Sequence, residues 1–417
     1  FTNGSTVRFN KSGGVQDIPC RPAAPADSIC FLEYYNLTLD STGTKRLSAS
    51  GTPVFKVTNN LRIDNNASFT AFNADLSANY NLEIHGNWTN QIGTFNPGSG
   101  TVIFHSPVAT VSTFINSRDT TDNPFNNLIF TGDGIVTANE NLKVTGNLTI
   151  NTGTTLNLTN KFISIYGNWQ NYDGLFNYGT STVQFNSTTT QSITRNVGNI
   201  QFYNLNLNNP NSVDASGIGS AGNGIIINNN LNLNAGNLIT HSGSNYRFTT
   251  VIGNITRTGN GYIDGELRRN ISGGASTTTF PVGYQKVYTP VTVNFTGAGG
   301  TAGLVSVLSD TLTTSTSPIS WTDAIPSNIA PTGSMISPER HIARQFLITV
   351  PSGSSFQLGV NRKYNSSFNF YTSDLRNGTD ANIVDFRTLT GANWIGPYQY
   401  SSFPFIQTRT SNSITIN

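Results

Sequence analysis

Apolar and polar residues alternate along most of the chain in short runs such as Leu148-Thr149-Ile150, Leu156-Asn157-Leu158, Leu205-Asn206-Leu207 and Leu231-Asn232-Leu233. A two-residue period places the apolar set on one side of an extended backbone, so each run predicts a short strand with one buried face. The runs end in Asn or Gly, which tolerate left-handed backbone at corners. A chain that turns repeatedly without helices is expected.

The strands come in a fixed order. Thr-Val-x-Phe is followed by aromatic-x-Asn-Leu, then by an apolar strand ending in Leu-x-Ile or Leu-x-Leu, then by Gly-Asn-Trp. The first copy reads Thr6-Val7-Arg8-Phe9, Tyr34-Tyr35-Asn36-Leu37, Lys56-Val57 to Leu61-Arg62-Ile63, and Gly86-Asn87-Trp88. The second reads Thr101-Val102-Ile103-Phe104, Phe125-Asn126-Asn127-Leu128, Lys143-Val144 to Leu148-Thr149-Ile150, and Gly167-Asn168-Trp169. The third has Thr182-Val183-Gln184-Phe185, Phe202-Tyr203-Asn204-Leu205, Ile226-Ile227 to Leu231-Asn232-Leu233, and closes on Gly253-Asn254-Ile255. One step of 81 residues carries Trp88 to Trp169, Phe95 to Phe176 and Phe104 to Phe185.

A module of roughly 80 residues with four apolar groups allots about 20 residues to each, the size of one coil in a solenoid whose coils stack ~4.8 Å apart. The fold class expected is therefore all-β: a parallel β-solenoid (β-helix) over residues 1–265, in three modules of about four coils and about a dozen coils in total, followed by an antiparallel β-sandwich over 266–417. Asn side chains at successive corners are expected to form hydrogen-bonded ladders. Meander-type sandwich repeats are the alternative, against which the absence of linkers between copies argues. The Cys20 to Cys30 loop and the stretches 116–124 and 212–224 read as corner excursions. Beyond about Ile263, Asn thins and longer alternating strands appear, as in Tyr288 to Phe295 and Gly303 to Leu308. Such a terminal sandwich would cover the open end of the solenoid.

Composition narrows the class. Only 11% of the 417 residues are charged and the net charge is +2, so no field gathers phosphates or coats an anionic membrane, and nucleic acid is excluded as a partner. No apolar run is long enough to span a membrane as a helix. The chain begins within one strand-like pattern and stops within another, which reads as a piece of a longer precursor.

The phrases Gly86-Asn87-Trp88, Gly93-Thr94-Phe95-Asn96, Gly100-Thr101-Val102-Ile103-Phe104 and Asn147-Leu148-Thr149-Ile150 resemble the Asn/Gly-rich repeats of large cell-surface proteins of Bacteroidota. The segment Ile263-Asp264-Gly265-Glu266-Leu267-Arg268-Arg269, with Phe280-Pro281-Val282-Gly283 and Tyr288-Thr289-Pro290-Val291, is similar to the β-rich domain that often follows them. The resemblance implies export by the type IX secretion system and a role as adhesin or surface fibre; the sorting domain expected of such a substrate is not recognisable before Asn417. It also implies O-glycosylation where Asp precedes Ser or Thr, at Ser28, Ser41, Thr120 and Thr311. In that extracellular setting a disulfide between Cys20 and Cys30 is the first reading, two reduced buried thiols the second.

Residues able to carry chemistry are sparse. The four histidines, His85, His105, His241 and His341, share no short motif, and His105 aligns with Asn186 one module on, so each reads as a satisfied or surface imidazole. Asp64, Asp75 and Glu83 in the first module and Asp119, Asp122, Asp133 and Glu140 in the second are the carboxylates from which a polysaccharide lyase or glycoside hydrolase could be built, but no basic partner recurs beside them. Asp119 and Asp122 are weak candidates for a structural calcium ion; no other cofactor is expected. Exposed, Trp88 and Trp169 would form a sugar-stacking ladder about four coils apart. Buried, they would be interior rungs with Phe104 and Phe185, which is favoured because the third copy substitutes Ile255. Glu339, Arg340, His341 and Arg344 form the densest charged group of the terminal domain, read as a solvated strand edge.

The function expected is that of a secreted, surface-displayed structural or adhesive rod or extracellular filament component, not an enzyme, with a glycan, a surface ligand or neighbouring copies as partners. A carbohydrate-active β-helix enzyme is the alternative. An acidic and basic cluster on adjacent coils of one side would favour the enzyme, a plain Asn/Thr/Ser side the rod.

Overall fold

The computed structural model describes residues 4–19, 32–48, 54–73, 78–90, 92–108, 112–117, 123–220, 222–242, 245–284, 287–296, 300–311, 344–349 and 351–356, and the strands at 363–369, 388–390, 393–395, 407–409 and 413–416. All regular structure among them is strand. The chain divides into two units, Phe1–Gly236 with Asn254–Asn260, and Asn237–Gly253 with Gly261–Asn417.

The first unit is a parallel β-solenoid with three sides. One side is a sheet of eight strands in the order Thr6–Phe9, Asn36–Leu39, Leu61–Ile63, Trp88–Asn90, Ser112–Ser117, Ile135–Ala138, Thr155–Asn157 and Leu175–Asn177. A second side runs through Leu32–Tyr34, Val54–Val57, Asn81–Ile84, Thr101–Ser106, Asn127–Gly132, Leu148–Asn151, Trp169–Tyr172, Gln191–Arg195 and Val213–Asp214. The third side is split. Val15–Pro19, Gly43–Ser48, Ala67–Thr70 and Thr94–Asn96 form one sheet, and pairing resumes with Leu142–Val144, Phe162–Ile165, Thr182–Phe185, Ile200–Asn208, Gly224–Ala235 and Asn254–Thr256. At the break Asn123 Oδ1 accepts the Phe95 N–H at 2.7 Å and the Asn90 Nδ2–H at 3.2 Å, and Phe125 bridges Val144.

Two details of the expected winding are corrected. The solenoid has about eight coils rather than a dozen, because the steps between stacked partners Phe55, Leu82, Val102, Leu128, Leu148, Trp169 and Ile193 are 20 to 27 residues. The 81-residue repeat is also not four coils. From Trp88–Asn90 to Trp169–Tyr172 the chain advances eleven strand positions, counting the Phe125 bridge, which is three coils and two further sides. Trp88 therefore lies on the first side, paired with Leu61 and Ile115, while Trp169 lies on the second, paired with Leu148 and Ile193, and Ile255 lies on the third, paired with Leu231. The two tryptophans do not stack in one column. All three sides face the same apolar interior, so a repeat must keep step with strands but need not keep step with coils.

Each residue of the repeated Gly-Asn-Trp has a separate physical task. A Cβ on Gly86 would lie 2.4 Å from the Asn59 carbonyl oxygen, and one on Gly167 2.3 Å from that of Gly146, so the corner closes against the coil below only without a side chain. The Asn carries the ladder: Asn127 Oδ1 accepts from Asn147 N–H, Asn147 Oδ1 from Asn168 N–H, both at 2.9 Å, and Asn168 Oδ1 from Ser192 N–H at 2.8 Å. Asn60 and Asn87 repeat this pattern with Asn87 N–H and Phe114 N–H. Side chains bond directly to one another in Asn186, Asn208 and Asn234, at 2.9 and 2.6 Å. Among the described non-glycine residues with positive φ only Asn65 and Asn66 are Asn, so at these corners it serves chiefly as an acceptor for the next coil.

The Trp fills the core. Trp88 is 1% and Trp169 0% exposed; Trp88 is edge-on to Phe95, Phe104 and Phe125, and Trp169 to Phe176 and Phe202. Phe104 and Phe185 are likewise buried. Among the described residues one fully buried position is basic: Lys45, sealed from solvent, donates to the carbonyls of Lys11, Ser41 and Thr42 at 2.9, 3.4 and 3.4 Å. Burial, with a smaller contribution from Lys11, lowers its pKa.

In the second unit parallel pairing joins Leu238–Ile239, Ile263–Asp264 and Val282–Tyr284, and also Phe248–Val251 with Glu266–Ile271. From Glu266–Ile271 onward the pairing becomes antiparallel, through Gly303–Thr311 to Arg344–Thr349. A second antiparallel sheet has the order Ser276–Phe280, Val291–Thr296, Lys363–Asn369, Ser413–Ile416, Gln407–Arg409. Together these make the C-terminal β-sandwich, with Leu267, Val305, Val307, Val291, Val293 and Phe280 among its buried residues.

Candidate functional site

Outward-facing residues form columns, since parallel in-register pairing sets like positions above one another. On the third side Lys143, Ser164, Gln184, Asn206, Asn232 and Thr256 follow in register. The column is uncharged after its first member.

The second side is different. Glu33, Lys56 and Glu83 are stacked on successive strands, with Lys56 Nζ 3.6 Å from Glu33. Leu82 and Ile84 turn into the core, which leaves Glu83 and His85 on the outer surface, and the pairing of Ile84 with Phe104 brings His105 beside His85. The two imidazoles stack with centroids 4.5 Å apart and planes 13° from parallel. His85 Nε2 lies 2.5 Å from Glu83 Oε1. Potential ligand atoms of Glu83, His85 and His105 fall within 4.8 Å of one another, the one such group of three among the described residues. All three are partly buried, the side chain of His85 16% and that of Glu83 24% exposed. Burial lowers the His85 pKa; the hydrogen bond and charge of Glu83 oppose this, while His105 and Lys56 add to it.

The repeat supplies an internal comparison. One module on, the positions of Glu83, His85 and His105 are held by Ser164, Tyr166 and Asn186, and Asn186 Nδ2 donates to the Tyr166 hydroxyl at 2.8 Å. Lys143, aligned with Lys56, sits over the Tyr166 ring at 5.5 Å. The repeat thus closes the equivalent surface of the third side without imidazole or carboxylate.

Other residues singled out from the sequence are dispersed. Asp64 pairs with Arg62 at 2.5 Å, Glu140 lies 4.0 Å from Lys161, and Asp133 is exposed. Ser41 is at a corner with φ 64° and its N–H donates to Asp40 Oδ1 at 2.7 Å; Thr311 ends a strand. Cys20, Cys30, Ser28, Asp75, Asp119, Thr120, Asp122, Glu339, Arg340 and His341 lie outside the described residues. His241 is not isolated: its Nε2 is 3.0 Å from Asp264 Oδ1 and its ring stacks on Tyr284 at 5.0 Å. No short motif joins His85 to His105; the available signal was their separation of 20 residues, one coil step.

Among the described residues no helix is long and apolar enough to cross a membrane. Comparison with models of known families, with curated proteins and with solved structures returns no match.

Proposed function

We propose that this chain is a surface-displayed structural and adhesive rod, its solenoid serving as a stalk and its outer columns and terminal sandwich as a multivalent contact surface. The observation that carries the reading is the column Gln184, Asn206, Asn232 and Thr256: four successive solvent-accessible positions of hydroxyl and amide groups over an interior closed by Trp and Phe. Such a surface offers many weak donors and acceptors and no titratable group to move a proton. The sequence resemblance supports an extracellular, bacterial cell-surface setting, export of the type IX kind, glycosylation of the chain and a Cys20 to Cys30 disulfide, and it extends the reading to an extracellular filament component. Electron microscopy of native material, with a glycan array on the purified chain, tests it. Tethered stalks, polymers or glycan binding are the expected outcome. Isolated particles together with an array free of binding overturn it.

One observation favours the second reading, a carbohydrate-active β-helix enzyme: Glu33, Lys56, Glu83, His85 and His105 place acidic and basic groups on adjacent coils of one side. Release of unsaturated or reducing ends from acidic and neutral polysaccharides, lost on Lys56→Ala, would establish it in place of the rod.

A further inference from the structure

We propose that Glu83, His85 and His105 form a binding site for a first-row divalent transition ion, zinc in particular. Two imidazoles and one carboxylate are a donor set of intermediate softness, suited to zinc, copper or nickel and poorly suited to calcium or magnesium, which prefer oxygen alone. The scaffold places them without any special loop. The in-register pairing of Ile84 with Phe104 sets His105 beside His85, and Glu83, on the strand Asn81–Ile84, reaches His85 just beyond that strand's end.

The internal comparison strengthens the assignment. At the equivalent repeat positions, on the third side, the surface is satisfied by the Tyr166 and Asn186 pair, yet in the first module all three positions differ together, and each difference introduces a metal-ligating group. The residues are half-sheltered, which limits competition by water while leaving an approach from solvent.

The geometry sets what binding requires. Metal–ligand bonds of ~2.0–2.2 Å hold donors in a tetrahedron roughly 3.3–3.6 Å apart. The present donors lie within 4.8 Å, so they must draw inward by about 1 Å through side-chain rotation, and the Glu83 to His85 contact of 2.5 Å must open to admit the ion. Three protein ligands leave a fourth position facing solvent, the arrangement of a site that keeps an exchangeable water or takes an external ligand.

The test uses the full chain. Equilibrium dialysis against zinc chloride, with metal content measured by mass spectrometry and magnesium chloride as the control, should give one zinc per chain at micromolar free metal and no magnesium. His105→Asn should weaken zinc binding by more than about 100-fold, beyond the ~10–100-fold carried by outer-shell partners. The triple exchange Glu83→Ser, His85→Tyr, His105→Asn installs residues that the fold already accommodates one module on, so it should keep the far-ultraviolet circular dichroism of the parent and lose the stoichiometric zinc. Cobalt(II) bound to the parent should show four-coordinate visible bands that the triple variant lacks. Zinc retained undiminished by the triple variant would place the metal elsewhere, for example at His241 and Asp264, and overturn the proposal. Failure of the parent to bind below about 1 mM zinc, far weaker than a dedicated three-ligand site, would do the same.

Discussion

Replacing Trp169 with Ala, Ile and Phe separates the packing of this interior from its polar cost. A buried Trp removes ~150–250 Å² from water, which at ~25 cal/mol/Å² corresponds to roughly 4–6 kcal/mol. Residual shielding in the denatured chain lowers this by ~10–40%, so Trp169→Ala should cost about 3–5 kcal/mol, within the range for aromatic-to-Ala changes in cores. Against that gain stands the indole Nε1–H, buried at both Trp88 and Trp169 with no hydrogen-bond partner among the described residues. An orphaned donor costs ~1–3 kcal/mol. Trp169→Phe removes that donor while keeping a ring against Phe176 and Phe202, and should fall within about 1 kcal/mol of the parent despite complete burial. Trp169→Ile, which copies the third module, should lie between the two. A stacked array can lose two-state behaviour, so native-state hydrogen exchange at the flanking strands Leu148–Asn151 and Gln191–Arg195 is read beside urea denaturation followed by circular dichroism. Exchange there should accelerate by about 100-fold or more in the Ala variant. A cost below about 1 kcal/mol for Trp169→Ala, or a Phe variant as damaged as the Ala variant, would refute the reasoning.

Further tests address the corners and the buried amine. Asn147→Ala leaves the Asn168 N–H without its acceptor and should cost ~1–3 kcal/mol with faster exchange at Asn168, whereas Ala at the exposed Asn160 should stay within about 0.5 kcal/mol by the same denaturation assay. Gly167→Ala must push against the Gly146 carbonyl and should lower the urea midpoint more than Ala at Gly198, where a Cβ meets nothing within 4 Å but φ is positive. Lys45 has a folded-state pKa below its unfolded value of ~10.5, so the unfolded chain binds the extra proton between the two and stability should rise with pH across that window. Lys45→Met should lack this rise; parallel slopes for parent and variant in denaturation from neutral pH to pH 10.5 would contradict the burial argument.

Alternation such as Leu231-Asn232-Leu233 was sufficient to determine strands with one buried face, because side-chain direction follows from backbone geometry alone, and the recurrence of Gly-Asn-Trp determined that such strands form a repeating array. The Asn ladder was legible in kind, but its chief form, a side-chain oxygen receiving the next coil's N–H, depends on corner geometry. Winding was decided only by the tertiary structure. Three sides share one apolar interior, so no local pattern distinguishes twelve strands per module from eleven, and corner excursions altered the coil length without disturbing the repeat. The meeting of Glu83, His85 and His105 has the same origin: residues 20 positions apart become neighbours when the coil between them also takes 20, a length set by the first and third sides and their corners rather than by either histidine.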